Sequence, residues 1–242
     1  MNTPILNIDN SIHFGWDNFR KNVKFFLVVC LIYLGFIGIS FLSQFYIGPK
    51  GINYTPTAYY TIAIIAYLVN IYVSIGLTQE CLQIIDNKKA KLNQLFKVAP
   101  LKFIRYILLI LISIIITLLA LAVIFGLFGL SFLALNSGLK LLSLLLLALT
   151  FIATVYSIYI GISFSFIRYT FVDKNLSLFQ TFKQSYKITN KQKFTIIGFD
   201  IAKMLIFSAG LFLLGIGLIF AFPLLAIATA HFYRSLYSKN SI

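Results

Sequence analysis

Asp200 and Lys203 stand three residues apart inside the apolar run GFDIAKML, a spacing that brings opposite charges together on one helix face. Ionisable groups in such a run are costly unless paired, and by default they mark ion or proton coupling. Two readings are open. The pair can couple the movement of a proton or ion, or it can be structural, with Lys203 reaching back toward headgroups while holding Asp200.

A second set of candidates is uncharged. Tyr67, Asn70, Ser74, Thr78 and Cys81 recur at helical spacing, and so do Thr150, Thr154, Ser157, Gly161 and Ser165. If the two stripes face each other, Tyr67, Asn70, Ser74 and Thr78 would meet Thr154, Ser157 and Ser165 in a polar seam. Such a seam either lines a substrate cavity or hydrogen-bonds two helices together. Glu80, the sole glutamate, follows the first stripe and is placed to pair with a basic loop.

The third set is basic. Lys183, Lys187, Lys191 and Lys193 lie on a segment whose Leu176, Phe179, Phe182 and Tyr186 share the opposite helical face. A helix of that kind rests at a membrane surface with its lysines toward anionic headgroups, or packs on its own spans as an anchor.

Catalytic motifs are missing. There is no H-E-x-x-H, G-x-S-x-G or P-loop, the six acids are scattered, and His13 and His231 have different settings. Cys30 and Cys81 have no CxxC or histidine neighbour and read as small apolar residues. A non-enzyme with no cofactor and no metal is expected.

The elements that must position these residues follow from composition. The chain has 242 residues, 60% hydrophobic and 11% charged, with a mean hydropathy of +0.94. A soluble domain carries roughly a quarter charged residues, so this is an integral membrane protein. Its apolar runs are continuous rather than alternating, which makes the spans helices and not barrel strands.

The runs fall at 25–47, 58–82, 106–135, 139–167 and 195–236. The last exceeds one crossing and contains GIG at 215–217, so it divides into spans at 195–214 and 218–236. The predicted fold is all-α with six transmembrane helices. The run from Phe25 is too long for a signal core and is expected to remain as a span. Pro223 is expected to kink the sixth span.

The net charge of +14 is mostly topology. Nearly all Lys and Arg residues fall on one side of the six spans, only Lys50 and Lys140 fall on the other, and Lys203 lies within a span. The positive-inside rule then puts both termini in the cytoplasm. No module suited to nucleic acid is present.

A period of roughly 80 residues also runs through the chain, giving units at 10–88, 91–174 and 176–240. Each opens with a basic amphipathic segment: NSIHFGWDNFRKNVKFF, KLNQLFKVAPLKFIRYI and LSLFQTFKQSYKITNKQKF. In the first, Ile12, Trp16, Phe19 and Val23 share a face. The expected architecture is three helical hairpins, each preceded by a basic interfacial segment.

Three stretches carry a family resemblance. GWDNFRKN (15–22), DKNLSLFQTFKQSYKITNKQKF (173–194) and GIGLIFAFPLLAIATAHFYRSL (215–236) together resemble the YciC-like family of bacterial inner-membrane proteins. They are also similar to membrane domains attached to some glycerophosphodiester phosphodiesterases. The resemblance implies a six-span protein of the bacterial inner membrane and carries over no catalytic residue, because no soluble phosphodiesterase domain is present.

The function expected is that of a non-catalytic membrane component. Its partners would be membrane lipids, anionic ones included, or a protein partner, with self-association through Gly-containing faces and the Ala226–Ala230 pair as a further candidate. The alternative is a small-molecule or lipid transporter using the polar seam, with Asp200 and Lys203 as the coupling pair.

Overall fold

The computed structural model describes residues 7–46, 55–212 and 217–240. Among these, helices α1 (Ile8–Lys21), α2 (Val23–Tyr46), α3 (Pro56–Ile85), α4 (Leu92–Leu95), α5 (Pro100–Asn136) and α6 (Lys140–Phe164) come first. They are followed by α7 (Ile167–Lys174), α8 (Leu178–Thr189), a 3-10 turn at Asn190–Gln192, α9 (Lys193–Phe212) and α10 (Leu218–Asn240). No strand occurs among the described residues. Six helical stretches are long and apolar enough to cross a membrane, which makes this an all-α membrane protein.

Local chemistry explains where the helices begin and end. Asn7 accepts the Asp9 amide at 3.0 Å to cap α1, whose first turn carries Asp9 and whose last carries Arg20 and Lys21, in line with the helix dipole. Pro56 and Pro100 open α3 and α5, where a missing N–H costs nothing. Ser177 and Gln180 form a capping box on α8. The α5–α6 turn passes through Gly138 at φ +79°, a conformation glycine adopts without strain.

Consecutive long helices pair as α2 with α3, α5 with α6 and α9 with α10. The turn expected at 215–217 lies partly outside the described residues. Gly217 is described and sits against Gly210, where a Cβ on Gly217 would fall 2.7 Å from the Gly210 Cα, so these two glycines let α9 and α10 close on each other.

Two of the introductory segments differ from a helix resting on lipid. Helix α1 runs antiparallel along α10, with Ser11 hydrogen-bonded to His231 (3.1 Å), Phe14 stacked on the His231 ring and Phe19 against Phe220. Its buried residues are Ser11, Gly15 and Phe19, while Trp16 is exposed. The small Ser11 and Gly15 permit a backbone approach that the larger apolar face would block: a Cβ on Gly15 would lie 2.7 Å from the Leu224 carbonyl oxygen.

The segment after α3 also folds back on its own span. Lys91 N–H donates to Glu80 Oε2 at 2.8 Å, Leu95 is packed on Gly76, and the Tyr72 hydroxyl donates to the Phe96 carbonyl while accepting from the Val98 amide at 3.1 Å. Glu80 is fully buried here, and its partner is a backbone amide rather than a Lys or Arg side chain.

Where α3, α7 and α10 meet, aromatic rings fill the core. Phe199 stacks on Phe232 at 4.1 Å, and Phe166, Tyr169 and Tyr233 continue the cluster. Arg234 fastens its edge, reaching Asp173 Oδ2 at 3.0 Å and Asp86 Oδ2 at 3.4 Å, while the Tyr233 hydroxyl donates to Asp173. The ends of spans two, four and six are thereby joined.

A candidate intramembrane anion site

Beside that core lies a cavity of about 400 Å³. Asn70, Ser74, Thr78 and Cys81 of α3 form one wall, Ser165 and Arg168 another, and Lys203 of α9 a third. Tyr33 of α2, Phe207 of α9 and Phe222 of α10 complete it toward the apolar side.

The hydroxyl groups are fixed by their own helices. Ser74 donates to the Ile71 carbonyl (2.8 Å), Thr78 to that of Ser74 (2.8 Å), Ser165 to that of Ile162 (2.9 Å) and Thr229 to that of Leu225 (2.6 Å). Their protons are engaged, so what they add to the wall is dipole and lone pairs. Positive charge comes from Arg168 and Lys203.

Those two cations differ. Lys203 Nζ lies 2.6 Å from Asp200 Oδ1, the i,i+3 pair expected. Among the described residues Arg168 makes one side-chain hydrogen bond, from Nη2 to the Tyr169 hydroxyl at 3.4 Å, and its guanidinium lies 5.2 Å from the Tyr169 ring centroid. All six acids of the chain are among the described residues, and none forms an ion pair with Arg168. A half-buried guanidinium with five donors and no carboxylate is an uncompensated charge facing a cavity.

No protein-family model matches the chain, and no curated protein or solved structure matches it either. The site therefore stands on its own geometry.

The cavity gathers Asn70, Ser74, Thr78, Ser165 and Lys203 from the candidates named in the sequence. It leaves out three residues of the predicted seam. Tyr67 is exposed on the outer surface of α3, and Thr154 and Ser157 bond to the carbonyls of Thr150 and Ala153 within α6. Helix α6 packs mainly on α5 rather than on α3, so the second and fourth spans do not face each other along their length. They meet where the chain leaves α6, through Ser165 and helix α7, which carries Arg168.

The lysine cluster also divides. Lys183, Lys187 and Lys191 are exposed. Lys193 is buried, donating to Ser163 Oγ at 2.8 Å and the Tyr159 carbonyl at 3.2 Å, with its ammonium against the Tyr159 ring. It cannot also serve a headgroup. The reason lies in the inner face of α8, where Thr181, Ser185, Ile188 and Thr189 are buried and Ser185 and Thr189 bond the Ser163 carbonyl, drawing the start of α9 inward.

Ala226 lines the cavity and Ala230 is fully buried, which places this small-residue pair inside one chain. Pro223 lies within α10, and the Cys30 thiol donates at 3.6 Å to the Ile219 carbonyl that the proline leaves without its helical N–H.

Arg168 is the functional residue that the sequence pattern does not mark, because it falls among the loop charges. A signal was present: it follows Ser165 by three positions in SFIRYTFV, with aromatic residues on both sides and no acid until Asp173.

Proposed function

We propose that this is a non-catalytic multi-pass membrane protein that binds an anionic group in the cavity at Arg168. The observation that carries the reading is a guanidinium inside a polar cavity with none of the six Asp and Glu side chains, all among the described residues, paired to it. Arginine presents planar paired donors that match a phosphate or carboxylate. The positive-inside distribution and the resemblance to the YciC-like family support an inner-membrane location with both termini cytoplasmic.

Thermal unfolding of the detergent-solubilised protein with added inorganic phosphate or glycerol phosphate tests it. Ligand that binds only the folded state raises the midpoint by mass action. The wild type is expected to be stabilised and Arg168→Gln not, with Arg168→Lys intermediate and Arg20→Gln, an exposed control, like the wild type. Equal stabilisation of wild type and Arg168→Gln contradicts the reading.

Transport is the second reading, favoured by one observation: Lys203 lines the cavity while paired to Asp200. An anion arriving at Arg168 would compete with Asp200 for Lys203, which is how a coupling pair operates. Asp200→Asn should then abolish uptake in proteoliposomes while the protein remains folded. Unchanged flux, or none in the wild type, leaves the pair structural.

A further inference from the structure

A second, apolar cavity of about 280 Å³ adjoins the first. Tyr33, Phe207 and Phe222 line both. Tyr33 and Phe222 meet edge to face at 5.2 Å, so a single aromatic pair marks the boundary. Beyond it the wall is Cys30, Leu34 and Ile37 of α2 with Leu218 and Ile219 of α10. Almost nothing polar faces this groove, because the Cys30 thiol is turned to the Ile219 carbonyl.

The groove opens outward. Leu34 and Ile37 are 49% and 61% exposed, on a helix apolar enough to span the membrane, so they face acyl chains. One end of the composite cavity thus presents an unpaired cation among polar groups, and the other presents hydrocarbon to hydrocarbon.

We infer that the ligand is an anionic membrane lipid, its headgroup phosphate on Arg168 and one acyl chain in the groove between α2 and α10. This rests on the anion-site reading above and adds the ligand's class. A soluble anion would use the polar cavity and leave the groove without a role. A zwitterionic lipid would bring its own cation next to Arg168 and Lys203, where like charges repel. Lateral entry past Leu34 and Ile37 requires no opening toward water.

Native mass spectrometry of the delipidated full-length protein, titrated with phosphatidylglycerol or phosphatidylcholine, tests the inference. Arg168→Gln removes the headgroup contact, Ile37→Trp fills the groove from an exposed position, and Leu31→Trp is an exposed control outside the groove. The wild type and Leu31→Trp should hold one phosphatidylglycerol in preference to phosphatidylcholine. Both Arg168→Gln and Ile37→Trp should bind it at least roughly tenfold more weakly.

Glycerol phosphate separates this inference from the reading beneath it. It should stabilise Ile37→Trp as well as wild type, because the headgroup site is untouched. Phosphatidylglycerol affinity unchanged by Ile37→Trp, or equal affinity for phosphatidylcholine, overturns the lipid assignment. If glycerol phosphate still stabilises the wild type in that case, the anion site stands without a lipid. Loss of both responses sinks both.

Discussion

Helices α5 and α10 are opposite extremes of the same bundle. The α5 stretch has a mean hydropathy of 3.4 with 6% of its apolar window buried, whereas α10 has 1.3 with 50% buried. The more apolar helix is the less buried one, the reverse of a soluble protein. Lipid is as apolar as leucine, so burial against protein gains nothing from hydrophobicity itself. The polar and aromatic residues belong inside, as with Thr229, His231 and Tyr233 of α10, and most leucines of the α5–α6 hairpin face outward. Hydropathy here separates the outer hairpin from the inner helices, and the cavity is lined mainly by the three stretches in which it is lowest.

The largest effect should come from the buried side of that contrast. Gly76→Val would drive a Cβ to within 2.2 Å of the Leu95 carbonyl oxygen and unseat the segment folded on α3. A loss of about 3 kcal/mol is expected, the upper end for overpacking, measured by thermal unfolding in detergent. A stable Gly76→Val protein would break the account of this packing.

Asp173→Asn comes next. It weakens the link from Arg234 and the Tyr233 hydroxyl to the end of span four, a loss of about 2 kcal/mol for a nearly buried charged partner. Asp17→Asn, on the exposed face of α1, should leave unfolding unchanged.

The smallest effects sharpen the comparison within α5 itself. Leu109 is 2% exposed against the core and Leu119 is 63% exposed. Leu109→Ala should cost about 1 kcal/mol, below the usual value in a soluble core, because only packing is lost and not transfer from water. Leu119→Ala should change stability by less than about 0.5 kcal/mol. Equal costs would mean that another protein surface covers the hairpin.

The same physics decides how far the sequence could be read. The six apolar stretches and their ends were legible because length and apolarity are what a bilayer demands: expected runs at 25–47 and 139–167 became α2 and α6 within a few residues. The Asp200–Lys203 contact was also legible, since i,i+3 geometry is local. Which faces meet was not. A span that is apolar all round gives no direction, so helical spacing alone places the seam between α3 and α6, whereas α6 packs on α5. Nor did sequence distinguish Lys193, drawn inward by Ser163, from Lys183, left at the surface. Arg168 was hidden by the positive-inside pattern, where a loop arginine is ordinary.

The measurement closest to the central claim is a density map of the protein in phosphatidylglycerol nanodiscs, inspected at the guanidinium of Arg168. The account predicts non-protein density against that group, continuing as a chain past Tyr33 toward Ile37. An empty cavity with Arg168 turned onto Asp200 or another acid of the chain would contradict it.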